Sequence, residues 1–278
     1  QSLARTAEQG LFDAIFFADN QSFPASSKSD MPAFWFDPLV NLAAISQVTQ
    51  HVGLVATISS TFSNPFTAAR QLLSLDHMSQ GRAGWNLVTS MTDMEAANHS
   101  MDHLPEHEER YKKADEFAQV MNRLLESWSV DDFLHDKEDN KLINPSAINA
   151  INHEGEHFNV RGPLTTPSSP QEKPIAMQAG ASDPGIALAT KYADAVYAVA
   201  WNFNQASAFK NKLNQKLIQE GKPIDSLKVF PGLVTYVGQT YEEAYAKKQK
   251  LDESLEVDTA LNQLAFFIRQ NCHSWDFA

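Results

Sequence analysis

The sequence predicts an α/β fold built on a parallel sheet, and three observations lead there. Six apolar, β-rich runs alternate with helical segments along most of the chain. Several of these runs end in a carboxylate, amide or hydroxyl, where parallel β/α proteins keep their chemistry. At 278 residues with 43% apolar content, the chain can bury one large core, so residues 1–278 read as a single domain. Six such strands suit either a doubly wound sheet or a barrel.

The elements follow in order. Ser2 to Gln9 has a helical pattern, stopped by Gly10, and Phe12 to Asp19 is a buried strand closing on a carboxylate. Asp37 is a natural N-cap and Pro38 suits the first helical position, so a helix runs to about Thr49. Val52 to Ser59 is a strand, Pro65 to Met78 a helix, and Arg82 to Thr89 a strand. Within GRAGWNLVTS this strand places Asn86, Thr89 and Ser90 near its end. Arg110 to Trp128 is the next helix. Residues 129–173, rich in Asp, Asn, Pro and Gly, are too long for an ordinary connection and hold a hairpin-like piece, His153 to Leu164. Alternation resumes with strands Pro174 to Ala179, Ala195 to Ala200 and Leu227 to Val237, the last broken by Pro231-Gly232. Their helices are Asp183 to Tyr192, Asn204 to Glu220 and Tyr241 to Leu255, after which the pattern fades. In an eightfold count these are strands two to seven, with no first strand and no eighth.

Composition narrows the function. With 34 acidic and 22 basic residues the net charge is -12, which disfavours nucleic acid and anionic membrane as partners. No apolar run reaches the roughly 20 residues that span a bilayer, and the N-terminus lacks a signal-peptide pattern, so the expected location is cytoplasmic. The single Cys272 can form no internal disulfide and belongs to no zinc-binding cluster.

The candidate chemistry sits at strand ends: Asp19, Thr57 to Ser60, Asn86 to Ser90, and Gln178 to Ser182. Each alone also fits a turn or cap residue. QAGASDPG, Gln178 to Gly185, places Gly180 and Ser182 between a strand and a helix start, which suits either a phosphate or an ordinary capped helix. It lacks the GxGxxG spacing of a dinucleotide site. His99, His103 and His107 recur every four residues, but Pro105 breaks any single helix, and no metal site is expected. His107 and Tyr111 share a face of the helix through Trp128, as would two residues of a solvated first turn, HEERY.

Four segments together carry a family likeness: VATISSTFSNPFTAARQLLSLDHMSQGRAGWNLVTS, HEERYKKADEF, HEGEHFNVRGPL and SPQEKPIAMQAGAS. Over roughly Ala4 to Leu255 the chain resembles the nitrilotriacetate, dibenzothiophene-sulfone and long-chain-alkane monooxygenases of the bacterial-luciferase-like flavin enzymes. The resemblance implies an eight-stranded TIM barrel and a two-component monooxygenase. Such an enzyme takes FMN already reduced by a separate NAD(P)H:flavin reductase and uses O2 to oxygenate a small organic substrate.

Residue by residue, the resemblance makes Asp19, Thr57 and Asn86 contacts of the flavin ring and ribityl chain. His107 and Tyr111 approach the flavin, and Tyr111 and Ser182 are phosphate partners beside Gly180. His107 is the expected catalytic hydrogen-bond donor. Residues 129–173 correspond to a lid near the substrate mouth, and similar proteins are commonly homodimers or homotetramers. Two alternatives stand beside this reading: a flavin- or F420-dependent hydride-transfer oxidoreductase of the same superfamily, and a non-catalytic flavin-binding remnant. The FFAD and GWNLVTS segments favour FMN. Relative to the family the chain lacks the first strand and the C-terminal end, and the tail RQNCHSWDFA matches nothing expected there. It is expected to be either a fragment of a longer protein or a degraded form.

Overall fold

Each parallel strand needs a long return connection, and here helices supply nearly all of them. The computed structural model describes residues 1–23, 35–136, 138, 140–169 and 171–268. In chain order the elements are α1 (Ser2–Gln9), β1 (Ala14–Phe17), α2 (Pro38–Ser46), β2 (Gly53–Ser59), α3 (Pro65–Ser79), β3 (Ala83–Val88), α4 (Asp93–Asn98) and α5 (His107–Leu125). A short 3-10 turn, Val130–Asp132, precedes β4 (Phe133–Asp136), β5 (Lys141–Ile143), β6 (His153–Glu154) and β7 (Asn159–Val160). The series continues with β8 (Ile175–Gln178), α6 (Asp183–Tyr192), β9 (Ala195–Ala198), α7 (Phe203–Gln219), β10 (Lys228–Pro231), α8 (Tyr241–Glu253) and α9 (Val257–Ile268).

Six strands form one parallel sheet in the order β1-β2-β3-β8-β9-β10. The chain divides into two units: residues 1–23 with 33–232, which hold the whole sheet, and residues 24–32 with 233–278. In the second unit, α8 is capped by Thr240, whose side chain accepts from the Glu243 backbone N–H, and is braced by Lys247 against Glu243 at 2.8 Å.

Side chains alternate across the sheet. On one face Leu54, Ala56, Ile58, Trp85 and Leu87 pack with Leu72 and Leu73 of α3 and Phe117, Met121 and Leu124 of α5. Helix α5 presents that stripe because its buried positions, from Ala114 through Phe117, Ala118, Met121 and Leu124 to Leu125, recur every three or four residues. The other face is different. Val55, Met177 and Ala195 form a small apolar cluster there, while Phe16, Ile175, Tyr197 and Phe230 are 37% to 50% exposed. The rings of Phe16 and Tyr197 lie 6.2 Å apart although they belong to the first and fifth strands of the sheet. The sheet is therefore rolled into a half-barrel, with that face concave.

Several elements differ from the sequence reading. Helix α5 begins at His107 rather than Arg110 and ends at Leu125 rather than Trp128. The β10 strand closes at Pro231, because a proline cannot extend a ladder. The hairpin-like piece His153 to Leu164 is the antiparallel β6-β7 pair, and a further antiparallel pair, β4-β5, precedes it. A ninth helix follows Leu255, where no pattern was expected. The tail 269–278, including Cys272, lies outside the described residues.

The starting ends of the strands are held by ionic caps. Arg82 donates to the carbonyls of Ser46, Thr49, Val52 and Ser79 and to the Thr49 hydroxyl, at 2.8 to 3.1 Å, tying the ends of α2 and α3 to the start of β2. Burial pulls its pKa below the usual guanidinium value. Asp76 is fully buried and accepts from the Ala83 backbone N–H at 2.8 Å and from Ser169 and Gln171. Burial raises its carboxyl above the usual range despite these donors. Glu8 accepts from the backbone N–H groups of Gln50, His51 and Val52 at 2.6 to 3.1 Å. The His51 and Val52 donors lead in holding its pKa down at about 2.

Two outcomes follow from these caps. Asp76→Ala would strand the buried Ala83 N–H and cost about 2–4 kcal/mol of unfolding free energy in urea titrations; a loss under about 0.5 kcal/mol would contradict the capping role. Because the folded Glu8 pKa lies below the ordinary 4.5, its stabilisation is complete above pH 4.5 and is lost as pH falls toward 2. The melting-temperature gap between wild type and Glu8→Gln should therefore be full at pH 6 and narrow steadily on acidification.

Candidate active site

Opposite these caps, at the C-terminal ends of the strands, polar groups gather. Register places Thr57 beside Asn86 and Asn86 beside Met177. Asn86 Nδ2 donates to Thr57 Oγ1 at 3.1 Å, and both residues are buried. The other amide atom, Asn86 Oδ1, is shielded and has no protein donor. A buried acceptor left unpaired costs about 1–3 kcal/mol, so this atom marks a place built to meet a donor.

A second group lies at the start of α5 and the β8-α6 turn. His107 is exposed, and its ring sits 4.8 Å from that of Tyr111. Tyr111 in turn reaches the turn, where Ser182 Oγ approaches its hydroxyl at 3.5 Å. Ser182 is also the N-cap of α6, accepting from the Gly185 N–H at 3.3 Å. A Cβ at position 180 would stand 3.0 Å from the Tyr111 hydroxyl and 3.2 Å from the Gly185 Cα, so only glycine lets these groups approach. Asp183 at the helix start is paired with Lys212 at 2.6 Å.

Asp19 stands apart, just beyond β1. It is half-buried, which raises its carboxyl above the ordinary range, and it accepts from Gln21 Nε2 at 2.8 Å. Gln21 is gripped from α4: Asn98 Nδ2 donates to its carbonyl at 2.8 Å, and His99 Nε2 meets its Oε1 at 2.5 Å. The His99 ring also stacks on Phe62 at 4.3 Å. His99 is thus a clamp between strand ends. Among the described residues, His99, His103 and His107 do not gather into a metal-binding group.

What joins the groups was not legible as function in HEERYKK. Arg110, nearly fully buried, donates to the carbonyls of Pro105 at 2.9 Å, Thr89 at 3.3 Å and Ser90. Lys113 donates to the Thr61 carbonyl at 2.7 Å, and burial lowers its ammonium pKa. The loops after β2 and β3 are themselves joined by Ser59 to Ser90 at 2.7 Å and Thr61 Oγ1 to the Thr89 carbonyl at 2.7 Å. Ser90 holds a left-handed φ of 55°, which turns its carbonyl toward Arg110. Two charged residues of one helical turn therefore fix His107 and Tyr111 relative to Thr57 and Asn86. Arg110→Ala should cost about 2–4 kcal/mol in denaturant unfolding, and Arg110→Lys, which keeps the charge without the fork, should recover only part of it. Full recovery by lysine would show that charge alone matters.

Comparison with known proteins places the chain among relatives of similar sequence and fold. A family model described as luciferase-like monooxygenase matches residues 1–271. The chain is 37% identical over 268 residues to N-acetyl-S-(2-succino)cysteine monooxygenase of Bacillus subtilis, covering 96% of this chain and 60% of that protein. It is 38% identical over 274 residues to nitrilotriacetate monooxygenase component A of Aminobacter aminovorans, covering 95% and 60%. The chain thus spans three-fifths of these relatives. The crystal structure of long-chain alkane monooxygenase superposes with a TM-score of 0.93 at 30% identity, covering 99% of this chain and 65% of that one. By sequence and fold alike, the chain belongs to the luciferase-like monooxygenase family.

Proposed function

We propose that this chain carries the flavin site of a two-component monooxygenase, which takes reduced FMN from a separate NAD(P)H:flavin reductase and uses O2 to oxygenate a small organic substrate. The observation that carries the reading is the placement of Asn86 Oδ1, an unpaired buried acceptor, in a framework that Arg110 and Lys113 tie to the Tyr111, Gly180 and Ser182 cradle. Both features fit a flavin: its ring carries an N–H donor for Asn86, and its phosphate needs hydroxyl donors and close backbone approach. The relative named component A, and a riboflavin lyase structure with modified FMN at 28% identity and a TM-score of 0.89, support it.

In this reading Thr57 and Asn86 hold the ring and ribityl chain, Tyr111 and Ser182 hold the phosphate beside Gly180, and Asp19 borders the ring. Bound reduced FMN supplies the electrons that activate O2. The protein orients it and limits water, and His107 donates a hydrogen bond at the reacting edge. Residues 129–173 act as a lid over the substrate. We take the half-barrel as part of an eight-stranded barrel, since its apolar concave face is open, and the working enzyme as a cytoplasmic homodimer or homotetramer. Among the described residues no helix is long and apolar enough to cross a membrane.

An F420-dependent hydride transferase is less well supported. The F420-dependent reductase and alcohol dehydrogenase structures match at 14% and 19% identity, with TM-scores of 0.58 and 0.60, a likeness of fold alone.

The test is anaerobic titration with oxidised and reduced FMN, followed by oxygen uptake with reduced FMN and candidate substrates. Saturable binding that prefers the reduced form is expected, with His107→Ala lowering the product formed per flavin oxidised while binding persists. Absence of FMN binding would sink the proposal; binding without substrate-dependent oxygen uptake would support the remnant reading. Unchanged coupling in His107→Ala would remove that residue from the chemistry.

A further inference from the structure

We propose that Glu109, Glu156 and His157 form a binding site for a divalent cation of the zinc class, outside the flavin site. One carboxylate comes from the first turn of α5, and the other carboxylate and the imidazole come from the turn between β6 and β7. One ligand atom from each lies within 4.8 Å of the others. His157 Nε2 is shielded from solvent and has no hydrogen-bond partner. It faces Glu109 Oε1 at 3.5 Å.

That separation is long for a hydrogen bond. It matches the distance between two ligands of one tetrahedral ion, which bonds of about 2.1 Å place roughly 3.4 Å apart. An unpaired buried imidazole nitrogen beside two carboxylates is costly as it stands, and a cation would pair all three. Mixed imidazole and carboxylate donors favour zinc-class metals over magnesium or calcium, which prefer oxygen alone.

The turn that carries the imidazole is set in place before any ion arrives. Glu116 accepts from the backbone N–H groups of His157 and Phe158 and from His153 Nε2, each at 2.9 Å. On the far side of His153, Arg123 approaches Nδ1 at 3.2 Å. Gly155 is required in the turn, because a Cβ there would strike the Glu116 carboxylate and lie 2.6 Å from His153 Nε2. Such outer contacts orient metal ligands in known sites. Glu156 and His157 also line a groove of about 700 Å³ between α5 and α6, which leaves a path from solvent and room for a water ligand. Lys112, 3.8 Å from Glu109 Oε2 and exposed, can pair with that second oxygen or swing away.

An ion here would fasten the β6-β7 turn to the helical turn that carries His107 and Tyr111. The experiment is calorimetric titration of the chelator-treated 278-residue chain with ZnCl2, with CoCl2 absorbance reporting the ligand set. One equivalent bound in the micromolar range or tighter is expected, with a raised melting temperature. His157→Ala should abolish that equivalent, and the near-isosteric Glu109→Gln/Glu156→Gln double variant should weaken it by at least about tenfold. The double variant decides the matter should His157→Ala fail to fold. No saturable binding below about 1 mM, or binding that the double variant leaves unchanged and so lies at other histidines, would overturn the proposal.

Discussion

The site depends on one buried guanidinium. Arg110 sits on the first turn of α5 with its charge removed from water, and it is stabilised by carbonyls of Pro105, Thr89 and Ser90. Those carbonyls belong to the segment after β3 and to the approach to α5, so the strand end and the helix start cannot move independently without exposing a buried charge. Such a charge is expensive to leave unpaired. The two halves of the proposed flavin site, Thr57 with Asn86 and His107 with Tyr111, inherit their spacing from it. Lys113, one turn along, repeats the arrangement on the loop after β2.

The two ends of the sheet are built on opposite principles. At the starting ends, the side chains of Arg82, Asp76 and Glu8 make eleven hydrogen bonds to helix ends, strand starts and adjoining loops, eight of them with backbone groups. At the finishing ends the loops are equally well tied, yet Asn86 Oδ1 remains unpaired. An acceptor that neither protein nor solvent satisfies is a cost to folding alone and a gain on binding a donor.

The outer wall of α5 adds a third environment. Phe117 packs its ring 5.9 Å from Phe158, and Glu116 gathers the β6-β7 turn by three donors. The result is a second groove along α5, lined by Glu116, Glu156 and His157 and also by Tyr111, with its own unpaired nitrogen on His157. One helix therefore faces three partners: the core by its apolar stripe, the strand ends by Arg110 and Lys113, and the groove by Glu109 and Glu116.

By itself the sequence determined the local features. Caps at Asp37 and Ser182, apolar runs of strand length and the polar strand ends at Thr57 and Asn86 depend on neighbours in the chain, and the structure contains them. Local pattern marks Tyr111, Gly180 and Ser182, the family likeness gives them a common expected ligand, and the fold brings them together. Only the tertiary structure decided the roles of Arg110, Lys113, His99 and Glu116. Each acts across 20 to 78 residues of sequence, and in the sequence a charged side chain on a first helical turn looks the same whether it will meet water or a buried carbonyl. The physical reason is that periodicity reports which face of an element is apolar, while the partner of a polar group is set by how distant elements pack.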